Sequence, residues 1–217
     1  MVGILALQGD VREHLVILER LGVDAMEVRT EKDLSRVDGL ILPGGESTTI
    51  SNLLRRHGLD KALVREAKRG LPLFGTCAGA ILLANQVVGE DLVPLGLMDI
   101  AVRRNAYGPQ AESFEEDVEI KGIGPVSACF IRAPIIENIG EDVEVLAEVR
   151  GRPVLVRQGN LLAATFHPEL VGETRVHEFF LQMVAAHRVA KGRVTSVRSS
   201  RPAPGTRASP IRAPRTS

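Results

Sequence analysis

Leu71-Pro72-Leu73-Phe74-Gly75-Thr76-Cys77-Ala78-Gly79 decides how the rest of the chain is read. An apolar run, Leu71 to Phe74, ends in a tight turn of small residues, and Ala80 to Val88 then reads as a buried helix. The turn has the form G-x-C-x-G, the cysteine counterpart of a nucleophile elbow. Such a turn lifts its central side chain clear of a sheet, and small neighbours let backbone and substrate come close. A helix N-terminus beside the sulfur supplies partial positive charge, a setting in which cysteine acts as a nucleophile. The plainer reading of Cys77 is a small buried hydrophobe.

The same strand-then-helix grammar extends toward the N-terminus. Val2 to Leu7 is an apolar strand that stops at Gln8-Gly9. Asp10 stands three residues before Glu13, in the manner of a capping box. Val11, Leu15, Leu18 and Leu21 follow at helical spacing, and Gly22 ends that helix. Short strands are expected over Asp24 to Arg29 and Gly39 to Leu42, and helices over Ser47 to His57 and Asp60 to Arg69. The alternation predicts an α/β fold, an open, mostly parallel sheet flanked by helices. After residue 90 it weakens. Shorter strands are expected near 98–103, 115–121, 126–132, 143–149, 153–158 and 161–166, several joined as antiparallel hairpins by turns such as Arg150-Gly151-Arg152. Gly172 to Ala190 reads as a final amphipathic helix.

Composition narrows the class. The 217 residues suit one well-buried domain, taken as 1–191. Residues 192–217, rich in Arg, Pro and Ser, cannot bury enough apolar surface to offset their ordering entropy and read as a disordered, solvated tail. Formal net charge is zero, but seven basic and no acidic residues lie from Lys191 onward, leaving 20 basic against 27 acidic residues before it. Aromatics are only 3%, so a base-stacking nucleic-acid surface is not expected. Two cysteines, Cys77 and Cys129, are too few for a disulfide framework and suit reduced thiols in the cytoplasm. The short apolar start lacks a basic leader region, and no apolar run is long enough to span a membrane.

A cysteine nucleophile needs a proton carrier. Of five histidines, His14, His57, His177 and His187 fall in predicted helices and read as solvated. His167 instead follows the apolar strand Leu161 to Phe166 and opens His167-Pro168-Glu169. The end of a parallel strand is where open sheets place site residues. Proline stiffens the link, so that Glu169 can accept a hydrogen bond from one ring nitrogen while the other faces Cys77. A third element, Pro43-Gly44-Gly45-Glu46-Ser47-Thr48-Thr49, follows the third strand. An amide of this loop, with that of Ala78, could make an oxyanion hole. An ordinary loop with Ser47 as an N-cap is the plainer alternative, and the spacing of a phosphate loop is absent. The histidines and cysteines lack metal-ligand spacing. Cys129 reads as buried and inert, and Glu115-Glu116-Asp117 as a solvated face.

Taken together, these stretches resemble the class I (triad) glutamine amidotransferases, whose fold is flavodoxin-like. More narrowly, they resemble the glutaminases that serve pyridoxal 5′-phosphate synthase. The resemblance spans about residues 2 to 190. It is carried by Leu7-Gln8-Gly9, Val11-Arg12-Glu13-His14, Leu42 to Thr49, Phe74 to Gly79, Arg104-Asn105, Phe130-Ile131-Arg132-Ala133-Pro134 and Phe166-His167-Pro168-Glu169-Leu170. It implies Cys77 as nucleophile, His167 as general base and acid, and Glu169 as orienter. Gly45, Glu46, Ser47, Arg104, Ile131 and Arg132 would hold L-glutamine, Gly45 and Ala78 would form the oxyanion hole, and Gln8 would sit near the site and the partner surface. The implied partner is a (β/α)₈-barrel synthase that takes up the ammonia in vitamin B6 synthesis; no cofactor or metal is implied. Ala106 stands where a serine is expected, and the basic tail has no counterpart. Rival readings are a glutaminase serving another synthase, a cysteine peptidase or thiol-stress protein on a related sheet, and a non-catalytic regulatory protein.

Overall fold

The computed structural model describes residues 1–104 and 113–192. The basic tail from 193 onward, together with Asn105 and Ala106, lies outside the described residues. In chain order the elements are β1 (Val2–Leu5), α1 (Val11–Arg20), β2 (Ala25–Val28), α2 (Glu31–Leu34), β3 (Leu40–Leu42), α3 (Ser47–Arg56), α4 (Leu59–Lys68), β4 (Leu73–Thr76) and α5 (Ala78–Leu83). There follow β5 (Ala84–Val88), β6 (Met98–Arg103), β7 (Phe114–Ile120), β8 (Gly124–Phe130), β9 (Ile135–Ile139), β10 (Glu144–Val149), β11 (Arg152–Gln158) and β12 (Leu161–Ala164). A 3-10 turn, Glu169–Val171, and α6 (Arg175–Ala190) complete the described part.

The main sheet has the order β10-β11-β12-β4-β3-β1-β2. β12, β4, β3, β1 and β2 are parallel to one another, while β11 pairs antiparallel with both β12 and β10. The chain runs outward from β1 to β2, then returns to the other side of β1 for β3 and β4, so the strand order reverses between β1 and β3. That reversal opens a crevice at the carboxyl ends of the strands.

Side chains of successive strand residues go to opposite faces, and the core divides accordingly. Leu40 and Leu42 pack with Ile50, Leu54, Leu63 and Leu82 from α3, α4 and α5. Ile41 lies on the opposite face with Phe74, Leu18 of α1 and Phe180 of α6. Strands covered on both faces read as unbroken apolar runs, which is what β1 and β3 show, while β4 is buried throughout but ends in the polar Thr76. A three-stranded sheet, β5-β6-β9, and the hairpin β7-β8 extend the two cores.

The largest local correction concerns Ala80 to Val88. The helix stops at Leu83, and Ala84 opens β5, which pairs with β6. Ala80 to Leu83 are wholly apolar, so no polar face marks where the helix should end. β9 is a further addition to the expected strands, because Glu137 and Asn138 interrupt its apolar pattern.

The short α5 lies hard against the sheet. A Cβ on Gly79 would stand 2.0 Å from the Leu42 carbonyl oxygen, and one on Gly75 would stand 2.5 Å from the backbone of Gly79. Both obstacles are backbone, which cannot rotate aside. Overpacking of this kind typically costs about 1–3 kcal/mol. Gly79→Ala is therefore expected to lower unfolding stability by about 2 kcal/mol or more, read from urea denaturation at constant m. A loss under about 0.5 kcal/mol would mean that α5 can lift off the sheet.

Candidate active site

Four adjacent parallel strands bring their carboxyl ends to one crevice. β1 leads to Gln8 and Asp10, β3 to Gly44 and Gly45, β4 to Cys77, and β12 to His167. Cys77 stands at φ 46° and ψ −101°, between the end of β4 and the first turn of α5. A non-glycine residue held in so sparse a region costs on the order of 1–3 kcal/mol, so the surroundings must hold it there. They do so through the backbone. The Cys77 N–H donates to the Ala164 carbonyl at 2.8 Å, and the Ile81 N–H donates to the Cys77 carbonyl at 3.2 Å. The strained turn is thus tied to the strand that leads to His167.

His167 is 4% exposed, and its own N–H donates to the Cys129 carbonyl at 2.8 Å. Its Nδ1 lies 2.7 Å from Oε1 of Glu169 and 3.5 Å from Oδ2 of Asp10. The Cys77 side chain stands on the same pocket wall as this ring, and the interaction between them raises the imidazole's affinity for a proton. Sequence elements far apart in the chain therefore meet as sulfur, imidazole and carboxylate. The Sγ atom also lies 3.9 Å from the Ile131 carbonyl oxygen.

Burial alone would lower the imidazole's affinity for a proton. The hydrogen bonds and negative charge of Cys77 and Glu169 outweigh it and push His167 up to about 11. By linkage, the pairing stabilises the folded state below the ordinary imidazole range near 6.5, and that contribution is lost as pH rises through about 11. Glu169 is buried, and burial pushes its carboxyl upward while the hydrogen bond to His167 pulls it down. Its Oε2 finds no partner among the described residues. Burial likewise raises Asp10, opposed by the charge on His167.

The two glycines of the third element are required by their neighbours. A Cβ on Gly44 would stand 2.3 Å from Cε1 of His167, so only glycine lets the loop lie against the ring. Gly45 has φ 148°, and Gln8 Oε1 lies 2.7 Å from the place of its Cβ. That Gln8 oxygen accepts the Glu46 N–H at 2.8 Å. Glu46, and not Ser47, caps α3: its carboxylate accepts the N–H groups of Thr48 and Thr49 at 3.0 and 2.6 Å. Slight burial works upward on this carboxyl, but the bonds from Thr49 and Thr48 pull it down to about 2.

These groups wall a pocket of about 290 Å³. Every residue expected to hold the substrate lines it: Gly45, Glu46, Ser47, Arg104, Ile131 and Arg132, together with Cys77 and His167. Glu169 lies behind His167, and Ala78 sits buried at the start of α5; neither is on the wall. Arg104 reaches Glu46 at 3.2 Å, Thr48 at 2.9 Å and Glu90 at 2.6 Å. Arg132 is exposed, makes no ion pair among the described residues, and has φ 45°. Of three described non-glycine residues with positive φ, two are therefore on this wall, where strain is most often kept for function. A larger hollow of about 500 Å³ beside α3 and α4 is lined by no cysteine or histidine.

Three expectations need correction. Asp10 precedes α1, but its side chain makes no cap hydrogen bond and turns instead to His167. It lines the pocket with Ile81 and Leu170, and the motifs give none of the three a role in the site. His14 and His177 are not solvated but fully buried, whereas His57 is exposed. A signal for His14 exists: it lies three residues after Val11 and four before Leu18, on the apolar stripe of its helix. Asp10, His167 and Glu169 also bring one donor atom each within 4.8 Å of the others, a closeness that ligand spacing in the sequence does not reveal. The 2.7 Å contact between His167 and Glu169 needs the proton that a metal would displace, so the set reads as acid–base machinery.

Comparison with known proteins shows the family of the chain. The SNO glutamine amidotransferase family matches residues 4–186. A protein of Thermus thermophilus called pyridoxal 5′-phosphate synthase subunit PdxT is 56% identical over 185 residues, 84% of this chain and 97% of that one. The protein of the same name from Mycobacteroides abscessus is 53% identical over 189 residues, 86% of this chain and 98% of that one. A crystal structure described as a glutamine amidotransferase superposes with a TM-score of 0.82 at 51% identity, covering 85% of this chain and 98% of its own. A chain in the structure of PurLQS from Thermotoga maritima, TM-score 0.61 at 19% identity over 83% of this chain and 96% of its own, shares the fold.

The raised His167 depends on its two neighbours, which gives a direct check. Cys77→Ala and Glu169→Gln are each expected to bring the imidazole titration down toward its ordinary value, followed by ¹⁵N NMR of the ring. A midpoint that stays near about 11 in Cys77→Ala would remove the sulfur from the pairing.

Proposed function

We infer, from the premise that this chain belongs to the SNO glutamine amidotransferase family, that it is the glutaminase subunit of a pyridoxal 5′-phosphate synthase. It hydrolyses L-glutamine to L-glutamate and ammonia, and the ammonia goes to the synthase for vitamin B6 synthesis. The observation that carries this reading is that Cys77 and His167, with Glu169 bonded behind the ring, stand on a pocket lined by every residue expected to hold glutamine.

The chemistry follows from the atoms available. The Cys77 sulfur attacks the side-chain amide carbon of glutamine, and the carbonyl oxygen takes up negative charge. The amides of Gly45 and Ala78 are the donors for that oxygen; each such donor is typically worth about 2.7–4 kcal/mol of barrier. His167 gives a proton to the departing nitrogen, so that ammonia leaves and a γ-glutamyl thioester remains. His167 then takes a proton from water, the hydroxide attacks the thioester, and glutamate and the free thiol are released. Glu169 keeps the ring aimed through the 2.7 Å bond to Nδ1. Arg132, with its planar fork and no ion pair among the described residues, suits the substrate α-carboxylate.

The partner in this reading is the (β/α)₈-barrel synthase. Ammonia set free in water is protonated and no longer a nucleophile, so direct delivery to that partner suits the chemistry. Gly45, at φ 148°, and the Glu46 N–H held by Gln8 form the segment whose amides can reorient when the partner binds. Among the described residues no helix is long and apolar enough to cross a membrane. Two cysteines free of disulfide suit the cytoplasm.

The test is glutamate release by the wild type and by Cys77→Ala, each with and without the synthase. The wild type should be slow alone and faster with the synthase. Cys77→Ala should lose roughly a thousandfold or more in both settings. Turnover that survives the substitution unchanged would end the triad reading. Equal wild-type turnover with and without synthase would end the partner-dependent reorientation.

A further inference from the structure

Two polar side chains lie at the heart of the apolar face beneath the site and take no part in the chemistry above. His14 of α1 and His177 of α6 are both 0% exposed. Nδ1 of His14 lies 2.9 Å from Nε2 of His177, and Nε2 of His14 lies 3.2 Å from Oγ1 of Thr76, the residue before Cys77. The same Thr76 oxygen accepts the Gly44 N–H at 3.1 Å. A buried line of hydrogen bonds therefore runs from α6 through α1 and β4 to the glycine that lies against the His167 ring.

Counting protons leaves the line two possible directions. The Thr76 hydroxyl already accepts from Gly44 and has one proton to give. Among the described residues its other hydrogen-bond partner is Nε2 of His14; the hydroxyl can donate to a bare Nε2 or, with its second lone pair, accept from a protonated one. In the first arrangement Nδ1 of His14 carries the ring's proton and donates to Nε2 of His177, whose own proton then sits on Nδ1, without a hydrogen-bond partner among the described residues. Burial holds both rings uncharged: His14 is pushed well below the ordinary imidazole value, helped by the nearby His177 and His167, and His177 is lowered to about 4 against a smaller upward pull from the Glu173 backbone. The other charged group facing His14 is Glu169, whose Oε1 is 3.6 Å from Nε2 but is engaged by His167 at 2.7 Å.

We propose that His14, through a bare Nε2 that accepts from Thr76, is a positioning residue for amide hydrolysis: it fixes the Thr76 hydroxyl as the acceptor that pins the Gly44 amide, and so holds the Gly44-Gly45 loop in register with Cys77 and His167. This rests on the glutaminase reading above. An unmade hydrogen bond in so dry a place costs more than the bond itself contributes, so losing the acceptor would let the hydroxyl turn and release Gly44. Gly44 is set between the ring and Asp10 with no room for a Cβ, so small departures of this loop reach the reacting atoms.

The experiment measures glutamate release in the complex with the synthase for wild type, His14→Leu, His14→Gln, Thr76→Val, the double variant H14L/T76V, and Cys77→Ala. His14→Leu removes the acceptor and should lower kcat about tenfold or more, with KM for glutamine within about threefold. His14→Gln can place an amide oxygen where Nε2 stood and should keep kcat within about threefold of wild type. The double variant should be no slower than the slower single variant, because both changes break one line. Wild-type kcat in His14→Leu, no rescue by glutamine, or multiplied losses in the double variant would each overturn the proposal. Should His14→Leu not fold, the wild type decides: ¹⁵N ring spectra should show His14 uncharged with its proton on Nδ1 between about pH 6 and 8, and a proton on Nε2 overturns the proposal. Activity that persists in Cys77→Ala would instead overturn the glutaminase reading on which this one stands.

Discussion

The site exists because β4 lies beside β12. The two strands pair in parallel register, Leu73 with Leu161 through Thr76 with Ala164, and the ladder continues one step further when the Cys77 N–H donates to the Ala164 carbonyl. The sulfur and the imidazole are therefore set relative to one another mainly by main-chain bonds. Side chains have rotamers to choose among; two paired strands in the middle of a sheet have almost none. Preorganisation of that kind is what charge development in a dry pocket requires.

The same pairing explains why the neighbourhood is strained and glycine-rich. A strand held on both sides cannot swing to present its last residue, so the chain must turn sharply within one residue. Cys77 takes up that turn in a left-handed conformation, and α5 begins at once. The helix can do so only where it touches backbone directly, at Gly79 over Leu42. On the other side of the crevice, Gly9 has φ 110°, and its Cβ would meet the Gly44 carbonyl at 1.8 Å. The loops after β1, β3 and β4 are thus pressed together through glycines, and the functional side chains stand out from that compact base.

Much of this could be read from the chain alone, for identifiable reasons. Central parallel strands such as Leu40–Leu42 are apolar on both faces and stop at glycine turns, so their positions and their carboxyl ends were visible. Cys77, His167 and Glu169 were visible because each follows such an end. What sequence could not convey was direction. Asp10 has the spacing of a capping box, but nothing in its spacing shows that its carboxylate turns away from the helix and toward His167. His14 and His177 look polar in any pattern of apolar residues, yet one nitrogen of each ring meets the other inside the core, and only the packing of α1 against α6 and β4 brings them together. The change from α5 to β5 at Ala84 was hidden because burial on all sides leaves no polar face to mark a helix end.

The order of elements along the chain also bears on biosynthesis. The sulfur belongs to the first half of the polypeptide, while the ring, its carboxylate and the strand that holds the elbow closed all come from β12 and the turn behind it. A ribosome that has released only the segment through α5 has made the thiol but not the ring proposed to carry its proton. On the mechanism proposed above, a nascent chain stays inert until β12 has slipped in beside β4, and a chain cut short before β12 carries a thiol that cannot consume glutamine.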